Sequence, residues 1–141
     1  MRSIATLLFI VSLAPSQARA AVCEARNHPG VVAFYITQTT KPDSASEEWV
    51  SAFRELLRKS PSYCLVDQRE TATMVLSLVG LDTEGKSATA VSIAVYFAKD
   101  QAFVAHRMYI AARENVESSA QRALANLDEE VKDLKRSRFL K

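Results

Sequence analysis

Glycine and proline are scarce in this sequence, three and four residues among 141. With so few chain breakers there is no low-complexity stretch, no repeat and no linker long enough to separate two units, so one compact core is expected. Two cysteines and two histidines are the whole supply of soft metal ligands. They form neither C-x-x-C nor H-x-x-H, which leaves no local metal-binding or dithiol redox motif. No G-x-S-x-G elbow is present to expose a serine nucleophile. No apolar run approaches the roughly twenty residues that a helical membrane span requires. Charge of one sign is missing too: 18 basic side chains face 16 acidic ones. A nucleic-acid binder carries a basic excess that tracks phosphates, so that class is excluded.

What is present begins with an export signal. Arg2 supplies a positive start, residues 4–14 an apolar stretch, Pro15 a break, and Ala18-Arg19-Ala20 the small-x-small pattern of a cleavage site. Residues 1–20 are therefore expected to be removed, which leaves 21–141 as a single domain without net charge, because Arg2 and Arg19 leave with the signal. A lipid anchor on Cys23 is not expected, since Ala20 and Val22 stand where a lipobox has leucine and a small residue. The expected location is the periplasm or the medium. In such a compartment Cys23 and Cys64 are expected to pair, a bridge across 41 positions that contributes about 4 kcal/mol in the chain-entropy account. The basic tail, Lys135, Arg136, Arg138 and Lys141, complements the negative end of a helix dipole.

Hydrophobic periodicity then lays out the elements. Residues 31–37 (VVAFYIT) read as a buried strand after the turn Pro29-Gly30. Ser44 and Glu47 form a capping box, and Trp49, Val50, Phe53, Leu56 and Leu57 keep helical spacing until Ser60-Pro61. Residues 63–66 are a second strand, and the intervening helix implies a right-handed parallel βαβ unit. Residues 73–81 read as a central strand, apolar on both faces. In residues 88–97 the bulky Thr89, Val91, Ile93, Val95 and Phe97 alternate with the small Ala88, Ala90, Ser92 and Ala94 and with Tyr96. The pattern defines two faces but not which of them the helices cover. Residues 102–111 are a fifth strand, and Asn115 opens a long amphipathic helix through Val116, Ala120, Ala123, Leu124, Leu127, Val131 and Leu134. The expected fold is α/β (α+β): β-α-β-β-β-β-α, a mixed sheet of about five strands in which a parallel βαβ unit precedes an antiparallel meander, with two helices packed on it.

That order resembles the small envelope domains found at the N-terminus of TolB and in the CsgG and LpoB class of assembly factors. Three features carry the resemblance: a helix closing on Leu57-Arg58-Lys59-Ser60-Pro61, a short strand followed by Asp67, and the alanine-started strand of residues 72–80 (ATMVLSLVG). The resemblance implies a non-catalytic role exercised through protein contacts in the cell envelope.

Residues 80–87 (GLDTEGKS) match G-x-x-x-x-G-K-[ST] letter for letter. A phosphate cradle needs a helix N-terminus directly after it, whereas here a strand follows, and Asp82 and Glu84 would repel the anion. A polar hairpin turn with Gly85 at positive φ is expected instead. His106 is expected to share a strand face with Val104, Met108 and Ile110 as a sheet residue rather than a ligand. Asp128-Glu129-Glu130 read as the wet face of the last helix. No catalytic residue, cofactor or metal ligand is expected. Tyr96, Arg107 and Tyr109 are candidate surface contacts if one sheet face is open. The functional expectation is a non-catalytic exported module that binds an envelope or extracellular protein, a monomer or weak dimer; the alternative is a small secreted effector or inhibitor with a rigid loop at residues 82–87.

Overall fold

The computed structural model describes residues 30–42, 44–83, 87–137 and 139–140. The expected signal peptide, Cys23, His28, Gly85, Arg138 and Lys141 lie outside the described residues. Seven main elements follow one another: β1 (Val32–Thr39), α1 (Ala45–Lys59), β2 (Tyr63–Leu65), β3 (Met74–Asp82), β4 (Ala88–Phe97), β5 (Phe103–Ala112) and α2 (Val116–Arg136). They build a five-stranded sheet in the order β2-β1-β3-β4-β5. β1 runs parallel to both β2 and β3, while β3, β4 and β5 form an antiparallel meander. The α+β architecture and the element order are those expected from periodicity.

Local chemistry explains where the helices begin and end. Ser44 caps α1, its hydroxyl accepting the Glu47 backbone N–H at 3.1 Å, and this satisfies one of the donors a helix start leaves free. At the other end Ser60 is extended, with ψ 130°, because the ring of Pro61 disfavours helical backbone in the residue before it. Asn115 occupies the cap position of α2 without a side-chain bond. That start is held instead by a 3₁₀ turn (Arg113–Asn115) and by Ser118, whose hydroxyl donates to the Asn115 carbonyl at 3.0 Å.

Both helices pack on one face of the sheet. Trp49, Val50, Phe53 and Leu57 from α1 and Val116, Ala120, Ala123, Leu127 and Val131 from α2 are buried against Phe34, Met74, Leu76, Leu78, Val91, Ile93 and Val95. The bulky side of β4 therefore faces the helices, settling the choice its alternation left open. Small residues serve the helix–helix contact: beside Ala120 and Ala123, the buried Ser119 hydroxyl accepts the Trp49 Nε1–H at 3.0 Å. Trp49 also stacks on Phe53, with ring centroids 5.2 Å apart, and lies 5.7 Å from Tyr109 of β5. One indole thus joins α1, α2 and the sheet.

The β2–β3 connection must straddle β1, since β1 lies between them and parallel to both. The right-handed sense of parallel crossovers carries it over the face opposite α1. On that side Ala33, which alternates with the core residues Val32 and Phe34, is fully buried. Cys64 stands opposite Ala33 in β2 and is half-buried.

Tyr63 closes the β2 end of the core. Its ring meets Phe34 edge-on at 5.2 Å and its hydroxyl donates to the Asp128 carboxylate of α2. Burial and the adjacent carboxylate push the phenol above the ordinary tyrosine range, because both disfavour phenolate. The stability this contributes is complete below the unfolded tyrosine value, about pH 10, and is lost as pH rises above it. Urea midpoints measured between roughly pH 9 and 11 should fall for the native chain, and Tyr63→Phe should flatten that alkaline slope.

Candidate interaction face

The face of the sheet away from the helices carries the other half of each strand's alternation. Four rows cross β3, β4 and β5 there: Val75–Tyr96–Phe103, Ser77–Ala94–His106, Val79–Ser92–Met108 and Leu81–Ala90–Ile110. The middle residue of three rows is small, while the outer residues are mostly large and apolar. With neighbouring strands about 4.8 Å apart, β4 forms the floor of a shallow trough between ridges from β3 and β5. Leu81, Phe103, Met108 and Ile110 are 66%, 61%, 62% and 74% exposed, and Val79 is exposed beside them. Large apolar side chains gathered on one face differ from the scattered single ones that any surface shows.

A bulge shapes one end of this face. The β4–β5 register shifts between Val95 and Tyr96, so Ala105 stands opposite Val95 but Phe103 opposite Tyr96. Strict alternation from His106 would put Val104 on the open face. The extra residue instead turns Val104 toward the core and brings Phe103 out, where its ring meets Tyr96 edge-on at 5.8 Å. His106 accordingly shares its face with Met108 and Ile110 but not with Val104.

The three candidate contact residues are divided between the two faces. Tyr96 lies on the open one. Tyr109 is buried under the helices, and its hydroxyl accepts the Asn126 amide N–H at 3.0 Å. Arg107 also points to the helix side, where its guanidinium pairs with Glu130 of α2; that carboxylate holds the guanidinium above its ordinary pKa, chiefly through the hydrogen bond. Glu130 is therefore a partner across the sheet–helix interface rather than a purely solvated residue. Beneath this ion pair lies a cavity of about 20 Å³ lined by Phe53, Ile93, Val95, Ala123 and Leu127 among others. It is about the size of one water and takes no organic ligand.

One hydroxyl–imidazole contact stands on the open face: Ser92 Oγ and His106 Nε2 are 2.7 Å apart across β4 and β5. A nucleophile–base pair works when a third group orients the imidazole and donors await an oxyanion. The four rows contain no carboxylate; beside alanine and apolar side chains they hold the hydroxyls of Ser77 and Tyr96. As it stands, the contact is a hydroxyl–imidazole hydrogen bond joining β4 to β5.

The segment matching the phosphate-loop pattern joins β3 to β4. Asp82 still pairs with Thr89, and the Thr83 N–H donates to the Ala88 carbonyl at 2.9 Å. Gly80 sits inside β3, where it contacts α1, and the segment leads into strand β4. Asp82 turns its carboxylate to the Ser46 N–H at 2.9 Å, so this acid binds the first turn of α1, which the letter pattern could not reveal.

Compared with known proteins, the sequence matches no family model and no curated protein. Solved structures do match. The shared feature is the fold. TolB from Acinetobacter baumannii superposes with a TM-score of 0.57 at 8% identity, over 72% of this chain and 28% of that one. A PelC dodecamer from Paraburkholderia phytofirmans gives 0.51 at 15% identity, over 67% and 85%. A DUF330 protein from Xanthomonas campestris gives 0.51 at 11% identity, over 76% and 88%. The small mixed-sheet domain that the sequence resembled in TolB is therefore found in the tertiary structure, and the likeness extends to architecture alone.

Alternation in residues 103–112 was the available signal for the open face, with His106, Met108 and Ile110 in phase. That phase alone does not distinguish an open face from a buried one, since β5's apolar residues fit both. Covering one side of a sheet and leaving the other open is a property of helix placement, which lies outside any single strand's pattern.

Proposed function

We propose that this chain is a non-catalytic, exported protein-binding or assembly module, and that it binds through the open face of its sheet. The observation that carries the reading is the row of exposed Leu81, Phe103, Met108 and Ile110 along an alanine-floored trough. Apolar surface of this kind is stabilised when another protein covers it. The expected Cys23–Cys64 bridge belongs to the same reading, since it would tie the segment before β1 to the sheet's far edge in an oxidising compartment.

A photo-crosslinking side chain placed at Val79 or Leu81 tests the face directly, with Lys132 on the exposed side of α2 as the control position. In a cell-envelope fraction the two open-face positions should yield a discrete adduct with another protein, and Lys132 should yield none. Adducts from the Lys132 position alone, or from no position, would overturn the assignment of the face.

A further inference from the structure

Among the described residues β5 ends the sheet, and its outer edge is long. The opposite edge strand, β2, has three residues against ten in β5. Edge strands that stay unpaired are ordinarily blunted by proline, lysine, inward-pointing charge or extreme shortness. Phe103–Ala112 contains no proline, lysine or acid. Its one inward-pointing charge, Arg107, is neutralised by Glu130, and its bulge is confined to the beginning of the strand.

The pattern of hydrogen bonds identifies which amides face outward. The Arg113 N–H donates to the Ser87 carbonyl at 2.8 Å, and antiparallel pairing alternates bonded and non-bonded pairs. Ala111, Tyr109 and Arg107 are therefore the residues that exchange bonds with β4. The N–H and C=O groups of Ala112, Ile110, Met108 and His106 point away from the sheet. Their side chains lie on the open apolar face.

We propose that β5 is a self-pairing edge: two copies of the chain join antiparallel about a two-fold axis through Met108, forming one continuous sheet. In that register Met108 meets Met108 of the second copy, and His106 meets Ile110. Arg107 lies opposite Tyr109 of the second copy, on the helix side of the sheet. The adjacent register, centred on Arg107, would set two guanidinium groups face to face, and like charges directly opposite destabilise a strand pair. Registers centred on Arg107 or Met108 overlap most of Phe103–Ala112, and of these two charge leaves the Met108 register. The interface is isologous, so it closes at two copies instead of propagating. This goes beyond the binding reading above, because it concerns the strand edge and not the trough.

Sedimentation of the mature chain should show a concentration-dependent dimer. Amide exchange should then protect His106, Met108, Ile110 and Ala112 only at high concentration, while Arg107, Tyr109 and Ala111 are protected at every concentration. Met108→Lys and Met108→Glu, each at a 62% exposed position, should each weaken dimerisation at least about tenfold, and mixing the two variants should restore it. Circular dichroism on each variant confirms the fold. A native chain that stays monomeric at all concentrations, exchange protection without alternation, or failure of the mixture to recover would overturn the proposal. The two readings fail separately: a foreign protein captured at Leu81 by a monomeric chain retains the face and rejects the edge.

Discussion

Replacing Gly80 by alanine should destabilise the domain by about 3 kcal/mol or more, a loss of roughly 10 °C in the unfolding midpoint. A Cβ at Gly80 would stand 2.3 Å from Ser46 Cβ, 2.9 Å from Ser46 Oγ and 3.1 Å from Thr40 Cγ2. None of these atoms is the free end of a flexible chain. Ser46 is fully buried in the first turn of α1, its N–H is held by Asp82 at 2.9 Å and its hydroxyl lies 2.8 Å from that of Ser44. Relief therefore requires moving the helix start away from β3, which breaks the cap, the Asp82 bond and the packing of Trp49 and Val50 behind it. Urea unfolding of Gly80→Ala measures the cost. Adding Ser46→Gly to the same chain removes the colliding side chain and should recover part of it. A Gly80→Ala protein as stable as the native one would mean that α1 does not sit against β3 as described.

Trp49→Ala should be comparably severe, about 3–5 kcal/mol. The indole is fully buried and among the largest side chains in the core. Truncation would leave a void between both helices and the sheet. It would also remove the stacking on Phe53 and the contact with Tyr109, and it would leave the Ser119 hydroxyl without its donor. Against a typical domain stability of about 5–15 kcal/mol, such a loss brings the chain near its unfolding threshold. Trp49→Phe separates the two contributions, since it keeps most of the apolar volume and loses the Nε1–H bond; about 1–3 kcal/mol is expected from the unpaired buried hydroxyl and the smaller ring. Thermal unfolding of Trp49→Ala, Trp49→Phe and Ser119→Ala checks the assignment. If Trp49→Phe costs as much as Trp49→Ala, the hydrogen bond outweighs the volume, contrary to this account.

Much of the architecture was legible in the sequence because it is written in local terms. The capping box at Ser44, the stop at Ser60-Pro61 and the period of two in β4 each depend on residues within a few positions of one another. Rejection of the phosphate-loop match was equally local, since the strand pattern after Ser87 contradicts a helix. The candidate surface residues were less tractable. Tyr96, Arg107 and Tyr109 form one ledge only if the β4–β5 register puts them in phase, and that register sets Arg107 and Tyr109 opposite Ile93 and Val91, on the helix side, while Tyr96 lies on the other; the bulge moves only Phe103 and Val104.

The sequence by itself determined the elements, their order and the two-sided character of β4, because helix caps, turns and alternation are short-range consequences of backbone geometry. Tertiary structure alone decided that both helices cover the bulky side of β4 and leave an alanine-floored trough open. It alone showed that Gly80, inside the expected strand, is a point of contact with α1, and that β5 is a long outer strand whose one charge is paired with Glu130. Each of these depends on residues far apart in the chain that meet only when the sheet is assembled, as Gly80 meets Ser46 and Arg107 meets Glu130, and no window of sequence contains both partners.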